Sequence, residues 1–148
     1  MVVGAGWIGS EFAASARMRG LEVTVIDPLA LPNERVFGTE VGALVDAMTE
    51  DPRIEPYHER KAALRRQIAE FGEDATAVYA ADKVTKVREL RAQAGRDPEL
   101  LRSDEVRLKL EHYEESLAML EETTPEHALV QKLRFELEAL RALPPRTA

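Results

Sequence analysis

Three glycines near the start of the chain, Gly4, Gly6 and Gly9, stand at G-x-G-x-x-G spacing within Val3-Gly4-Ala5-Gly6-Trp7-Ile8-Gly9-Ser10-Glu11. A glycine-rich turn that opens a helix can bring backbone N–H groups up to a phosphate. No Cβ stands between backbone and ligand, and the helix N-terminus carries partial positive charge. Asp27 lies 23 residues after Gly4 and 18 after Gly9, where a carboxylate closing a second strand accepts hydrogen bonds from ribose hydroxyls. With 8 glycines in 148 residues this spacing arises by chance about 0.02 times per chain, so the surrounding elements decide its meaning.

Those elements fit. Met1-Val2-Val3 is an apolar run, and Ser10 to Arg19 reads as a short helix whose Ala13, Ala14 and Ala16 allow close approach to a sheet. Gly20 is a natural helix stop. Leu21 to Ile26 alternates and is rich in β-branched residues, as a strand requires. In this reading Gly4 permits the tight turn, Gly6 admits the pyrophosphate, Gly9 lets helix and strand close up, and Ala5, Trp7 and Ile8 complete the cofactor-contacting loop. The negative charge of Asp27 favours NAD over NADP, with Arg35 leaving room for the latter. The competing assignment is an ordinary glycine-rich turn, with Asp27 capping the loop Pro28 to Pro32. Only three residues precede the first glycine, where a strand usually runs about five or six, so the site is expected to be cut at its upstream edge.

Composition bounds the remainder. A chain of 148 residues suits one domain, and 45% hydrophobic residues is ordinary for a globular protein. Zero cysteines exclude disulfides, thiolate metal sites and a redox dithiol, and fit a reducing cytoplasm. A net charge of −7 repels nucleic acid and anionic membranes. No run reaches the roughly 18 apolar residues of a membrane span, so neither nucleic acid nor membrane is an expected partner.

From Phe37 onward the hydrophobic period becomes helical. Phe37 to Thr49 places Val41, Leu44, Val45 and Met48 on one side. Tyr57 to Phe71 places Leu64, Ile68 and Phe71 together and stops at Gly72, and Ala75 to about Ala94 presents Val78, Val84, Val87 and Leu90. Val106 to Glu121, capped by Ser103, buries Val106, Leu110, Tyr113, Leu117 and Leu120. A last helix opening at Thr124-Pro125-Glu126 buries Leu129, Leu133, Leu137 and Leu140. The last two predict an antiparallel hairpin. Residues 144–148 form a frayed tail.

Residues 1–45, through GAGWIGSE, LEVTVID and ERVFGTEVG, resemble the NADH-binding domain of FAD-dependent ferredoxin reductases in the pyridine nucleotide-disulfide oxidoreductase superfamily. The resemblance implies NAD(H) binding at Gly4, Gly6, Gly9 and Asp27, and places Glu11 near the nicotinamide. FAD would enter only through domains that this chain does not carry.

Residues 37–143, through FGTEVGALVDAMTEDPRIEPYHERKAAL and AVYAADKVTKVRELR, resemble the C-terminal part of a bacterial HD-domain phosphohydrolase of the (p)ppGpp hydrolase type. That resemblance implies that Asp82, in Ala80-Ala81-Asp82-Lys83, corresponds to a metal ligand. An HD centre needs two histidines and two aspartates to hold a divalent metal that activates water. This chain has no His-Asp dipeptide, so Asp82 is an orphan ligand and no divalent metal is expected. An ion pair with Lys86 is its plainer role, and His58, His112 and His127 read as surface or cap residues.

The expected fold is mostly α with a small N-terminal α/β element: a truncated Rossmann-like β-α-β turn followed by a helical, HD-like array. The expected function is a partial NAD-binding module of oxidoreductase ancestry fused to an incomplete HD region, a chimera or a fragment without a complete catalytic centre. A metal-dependent phosphohydrolase acting on nucleotides and a noncatalytic helical scaffold are the alternatives. Apolar surface left uncovered in either half would promote self-association.

Overall fold

A computed structural model describes residues 1–4, 6–31 and 34–143. The order of elements is β1 (Val2–Val3), α1 (Trp7–Met18), β2 (Val25–Ile26), α2 (Glu34–Ala47), α3 (Tyr57–Phe71), α4 (Glu73–Arg96), a 3₁₀ turn (Pro98–Arg102), α5 (Asp104–Thr123) and α6 (Ala128–Arg141). The mostly helical fold with a small α/β start is the one the sequence predicts. The chain divides into two compact units, Met1–Thr49 and Glu50–Ala148. No helix among the described residues is long and apolar enough to cross a bilayer.

In the first unit β1 and β2 pair in parallel, Val2 opposite Val25 and Val3 opposite Ile26. The amides of Val2 and Gly4 donate to the carbonyls of Thr24 and Ile26 at 2.7 Å. The expected strand Leu21 to Ile26 shortens to two residues because β1 offers only two to pair with. The helix between them begins at Trp7 rather than Ser10. It ends where Gly20, at φ +77°, turns the chain and its amide reaches the Arg17 carbonyl at 2.9 Å.

Of the small alanine face only Ala16 is buried, while Ala14 is exposed. Helix α2 starts at Glu34, before the expected Phe37, and is interrupted at Gly38, whose φ of +83° and ψ of 171° are not helical. Its inward residues are Gly42 and Ala47, with Val41 exposed. Val3, Ile8, Phe12, Met18, Leu21 and Ile26 all stand open to solvent.

The second unit has an ordinary core. Helix α4 carries its longest inward stripe, Thr76, Tyr79, Ala80, Lys83, Val84, Val87, Leu90 and Ala94, at the three-and-four spacing of one helix face. Val78, expected inside, is exposed, as is Phe71 at the end of α3. The α3 helix has the predicted bounds and buries Leu64 and Ile68. In α5 the stripe rotates, so that Leu110 and Leu117 are only half-buried while His112 and Ser116 go inside.

Ser103 caps α5 as predicted, accepting from the Val106 amide at 3.3 Å. Helix α6 is capped instead by His127, whose Nδ1 accepts from Leu129 N at 3.2 Å. Thr124 and Pro125 lie in the preceding turn. The predicted hairpin is also revised. The ion pairs Arg134–Glu121 and Arg141–Glu114 tie α6 to α5, but α6 lies chiefly against α4, where Val130, Leu133, Leu137 and Leu140 are buried. The tail 144–148 lies outside the described residues.

One carboxylate clamps α6 to α4. Glu136 is 2% exposed. Its oxygens accept from Arg88 Nε at 2.7 Å and from Arg91 Nη2 at 2.9 Å. Burial pushes its pKa up, yet the hydrogen bonds from the two arginines outweigh that and hold it below the ordinary carboxylate value. Glu136→Ala should lower stability by about 1–3 kcal/mol, less than an isolated buried charge would cost, because both arginines are half-exposed and can turn to water. The urea midpoint of the helical unit should fall with an unchanged slope.

Candidate functional site

The three motif glycines occupy three physically different positions. Gly4 has φ +99°, in the region that side chains avoid. A Cβ on Gly9 would meet the Gly4 carbonyl oxygen at 1.9 Å, so helix and strand close up here only because position 9 has no side chain. Gly6 has ordinary extended angles, φ −72° and ψ −179°, and among the described residues a Cβ there would touch nothing within 4 Å beyond its chain neighbours. The fold itself therefore requires glycine at 4 and 9 but not at 6.

Gly6 is the N-cap of α1. No side chain caps the helix, and no acidic residue stands in its first turn. The first intrahelical bond runs from Ser10 N to Gly6 O at 2.9 Å, so the amides of Trp7, Ile8 and Gly9 precede it and face the turn. That end has the polarity and the donors that favour an anion.

Asp27 follows directly on β2 and is half-buried. Its Oδ1 accepts from Leu29 N at 2.8 Å, a turn within the loop that the competing assignment foresaw. The glycines, Asp27 and Arg35 line one depression of about 560 Å³ with Ile8 and Phe12 among its walls, within the size range of small-molecule sites. Glu11, on the next turn of α1, is exposed, and Ala5 lies outside the described residues. Phe12 was not legible from the motif, because its exposure depends on how little sheet covers α1.

The second unit holds the other candidate, Asp82. Its Oδ2 accepts from Lys83 Nζ at 2.7 Å, while Lys86 pairs with Glu89 instead. Asp82 is therefore ion-paired, but with the adjacent lysine and not the one four residues on. Among the described residues no group of three or more His, Asp or Glu comes together as a metal would need. Lys83 is nearly buried, its ammonium 4.4 Å from the centre of the Tyr79 ring. Burial pulls its pKa down and the hydrogen bond to Asp82 partly restores it.

His112 corrects an expectation. It is 4% exposed, whereas His58 is a surface residue. Arg65 Nη1 stands 2.9 Å from His112 Nδ1, and a guanidinium only donates, so Nδ1 accepts and the neutral ring carries its proton on Nε2. The Ser116 hydroxyl donates to the His112 carbonyl at 2.6 Å, which leaves its oxygen to accept from the Tyr79 hydroxyl at 2.9 Å. Burial first, and then the charges of Lys83, Lys61 and Arg65, lower the His112 pKa to about 3. Burial raises that of Tyr79 to about 12. No sequence signal announced this network, since the contacts that join α5 to α3 and α4 span 33 to 47 residues.

A strand, a glycine turn, a helix and a second parallel strand ending on an acid define the dinucleotide-binding class of Rossmann-like α/β proteins. The family model described as pyridine nucleotide-disulphide oxidoreductase matches residues 1–117, and the chain belongs to that family. The match continues past residue 45 through α3 and α4 into α5 and lends no support to the HD-domain resemblance of the same stretch. Comparison with curated proteins and with solved structures gives no match.

Two outcomes follow. Gly9→Ala should destabilise the N-terminal unit by about 1–3 kcal/mol, the usual cost of overpacking. Amide exchange within residues 1–49 should then accelerate, while α3 to α6 keep their protection. The second outcome concerns pH. Folded His112 titrates near 3 and the unfolded side chain near 6.5, so between these values the unfolded chain takes up a proton that the folded chain refuses. That contribution is intact above about pH 6.5 and falls by about 1.4 kcal/mol per pH unit below it. His112→Gln should flatten the decline in urea midpoint from pH 6 to pH 4.

Proposed function

We propose that the N-terminal unit is a partial pyridine-nucleotide module that binds NAD(H) at Gly4, Gly6 and Gly9. The α1 amides would face the pyrophosphate and Asp27 the adenosine ribose. One observation carries this reading. Among the described residues no atom beyond its chain neighbours stands within 4 Å of a Cβ placed on Gly6, so glycine there suits a ligand that approaches the backbone closely. A merely structural turn explains Gly4 and Gly9 and asks of position 6 only an N-cap, which Ser, Asp or Asn would fill as well or better, whereas a pyrophosphate close to the backbone favours glycine there. Membership of the pyridine nucleotide-disulphide oxidoreductase family supports the same assignment.

When bound, the coenzyme supplies a hydride donor at its nicotinamide. The residues of this chain bind and orient it, with Glu11 the residue assigned nearest that ring. The reading assigns the residues of the N-terminal unit to the pyridine nucleotide alone. It treats the helices after Glu50 as a scaffold, in which Asp82 serves the ion pair with Lys83.

Trp7 is the only tryptophan and lies inside the glycine turn, so NADH should quench its emission saturably in the purified full chain. Gly6→Ala should keep the helical content and the urea midpoint while weakening NADH at least about tenfold, because the added methyl occupies the pyrophosphate approach. Unchanged Trp7 emission up to millimolar NADH would reject the reading. So would a Gly6→Ala protein that binds as tightly as the parent.

A further inference from the structure

We propose that the groove between α4 and α5 is a second binding site, which takes a small organic carboxylate against Lys86, Lys109 and Tyr113. The site lies wholly within the helical unit and does not rest on the dinucleotide reading. Lys86, Glu89, Leu90 and Gln93 recur at helical spacing along one face of α4, and Lys109 and Tyr113 stand one turn apart on α5. Together they line a depression of about 340 Å³. That volume falls at the lower end of the range of small-molecule sites.

Tyr113 is the residue that calls for a ligand. It is 9% exposed, its ring lies against that of His112 with centroids 5.8 Å apart, and among the described residues no group shares a hydrogen bond with its hydroxyl. The hydroxyl of Tyr79, by contrast, stands 2.9 Å from Ser116 Oγ. A buried hydroxyl left without a partner is costly, and the depression that Tyr113 lines is where an acceptor oxygen can reach it. Burial, and after it the charges of Tyr57, Asp82 and Glu89, raise the Tyr113 pKa. At neutral pH the hydroxyl therefore keeps its proton and can donate it.

The charges of the lining decide which acceptor fits. Lys86 and Lys109 against Glu89 leave one surplus positive charge, in a chain whose net charge is −7. A carboxylate matches that surplus with a single negative charge. A phosphate monoester carries about −1.5 to −2 at neutral pH and would face Glu89 with the excess unmatched. Neither lysine is firmly engaged. Lys86 Nζ is 3.7 Å from the Glu89 carboxylate, beyond hydrogen-bond distance, and Lys109 meets Glu105 at 2.6 Å where both side chains are exposed to water. Exposed pairs of this kind are weak, so either ammonium can turn to a carboxylate in the groove. Leu90 offers apolar contact to the carbon skeleton of the acid.

Titration of the ¹⁵N-labelled full chain with sodium benzoate at constant ionic strength, followed through the backbone amide shifts, tests the proposal. Benzoate should produce saturable shifts within residues 86–93 and 109–113, with a dissociation constant of about 1–10 mM. Tyr113→Phe, which removes the hydroxyl alone, should weaken benzoate about three- to tenfold. Lys109→Gln changes an exposed side chain, should weaken benzoate by a similar factor at an unchanged urea midpoint, and decides the matter if Tyr113→Phe does not fold.

No shift in α4 or α5 up to about 50 mM benzoate would leave the groove to water and overturn the proposal. Benzyl alcohol moving the same amides at the same concentrations would overturn it too, because that molecule shares the ring and lacks the charge. So would phenyl phosphate binding there more tightly than benzoate, or a folded variant of either kind that binds benzoate as tightly as the parent.

Discussion

The N-terminal unit depends on the approach of α1 to the turn that follows β1. The Gly4 carbonyl stands where the first carbon of any side chain at position 9 would be, so the absence of one atom fixes how near helix and strand lie. That contact aims the start of α1 at the turn, and Gly4 makes the turn by adopting a backbone conformation that other residues avoid. The depression beside Gly6 exists because both conditions are met.

The two units satisfy their own chains in opposite ways. The helical unit buries apolar residues around α4, and buried polar groups there find partners: Glu136 between two arginines, His112 beside Arg65, and Tyr79 with Ser116. Such groups would be costly without those hydrogen bonds. The N-terminal unit has little core. Its sheet is two residues wide in each strand, and a parallel sheet normally needs cover on both faces. Large side chains that line the interior of a wider sheet, Val3, Ile8 and Phe12, here bound an open depression. A ligand in that depression would bury apolar surface that the chain leaves exposed, and would thereby stabilise the unit.

Family membership and site geometry support each other without being the same statement. The family match places the chain among pyridine nucleotide-disulphide oxidoreductases and extends over most of both units. The glycine geometry says which backbone atoms a nucleotide would meet. Asp82 shows how a short motif can be absorbed by local electrostatics: its carboxylate neutralises a nearly buried lysine lying on an aromatic face, and that role accounts for its position.

By itself the sequence determined whatever a residue decides alone or with neighbours a few positions away. Gly4, Gly9 and Gly20 are required by backbone geometry, Ser103 by the orphan amides of a helix start, and the bounds of α3 by its periodicity and Gly72. Tertiary structure decided what depends on a partner distant in the chain. Strand β2 is short because β1 is short. Val78 and Phe71 are exposed and His112 and Ser116 are buried because helix faces turn toward neighbours that periodicity does not name. His127 replaces Thr124 as a cap because α6 starts where its leucines can meet α4. The physical reason is common to all of these: a turn or a cap is settled by local sterics and hydrogen bonding, whereas burial is a property of two surfaces, and only one of them is written in any given segment.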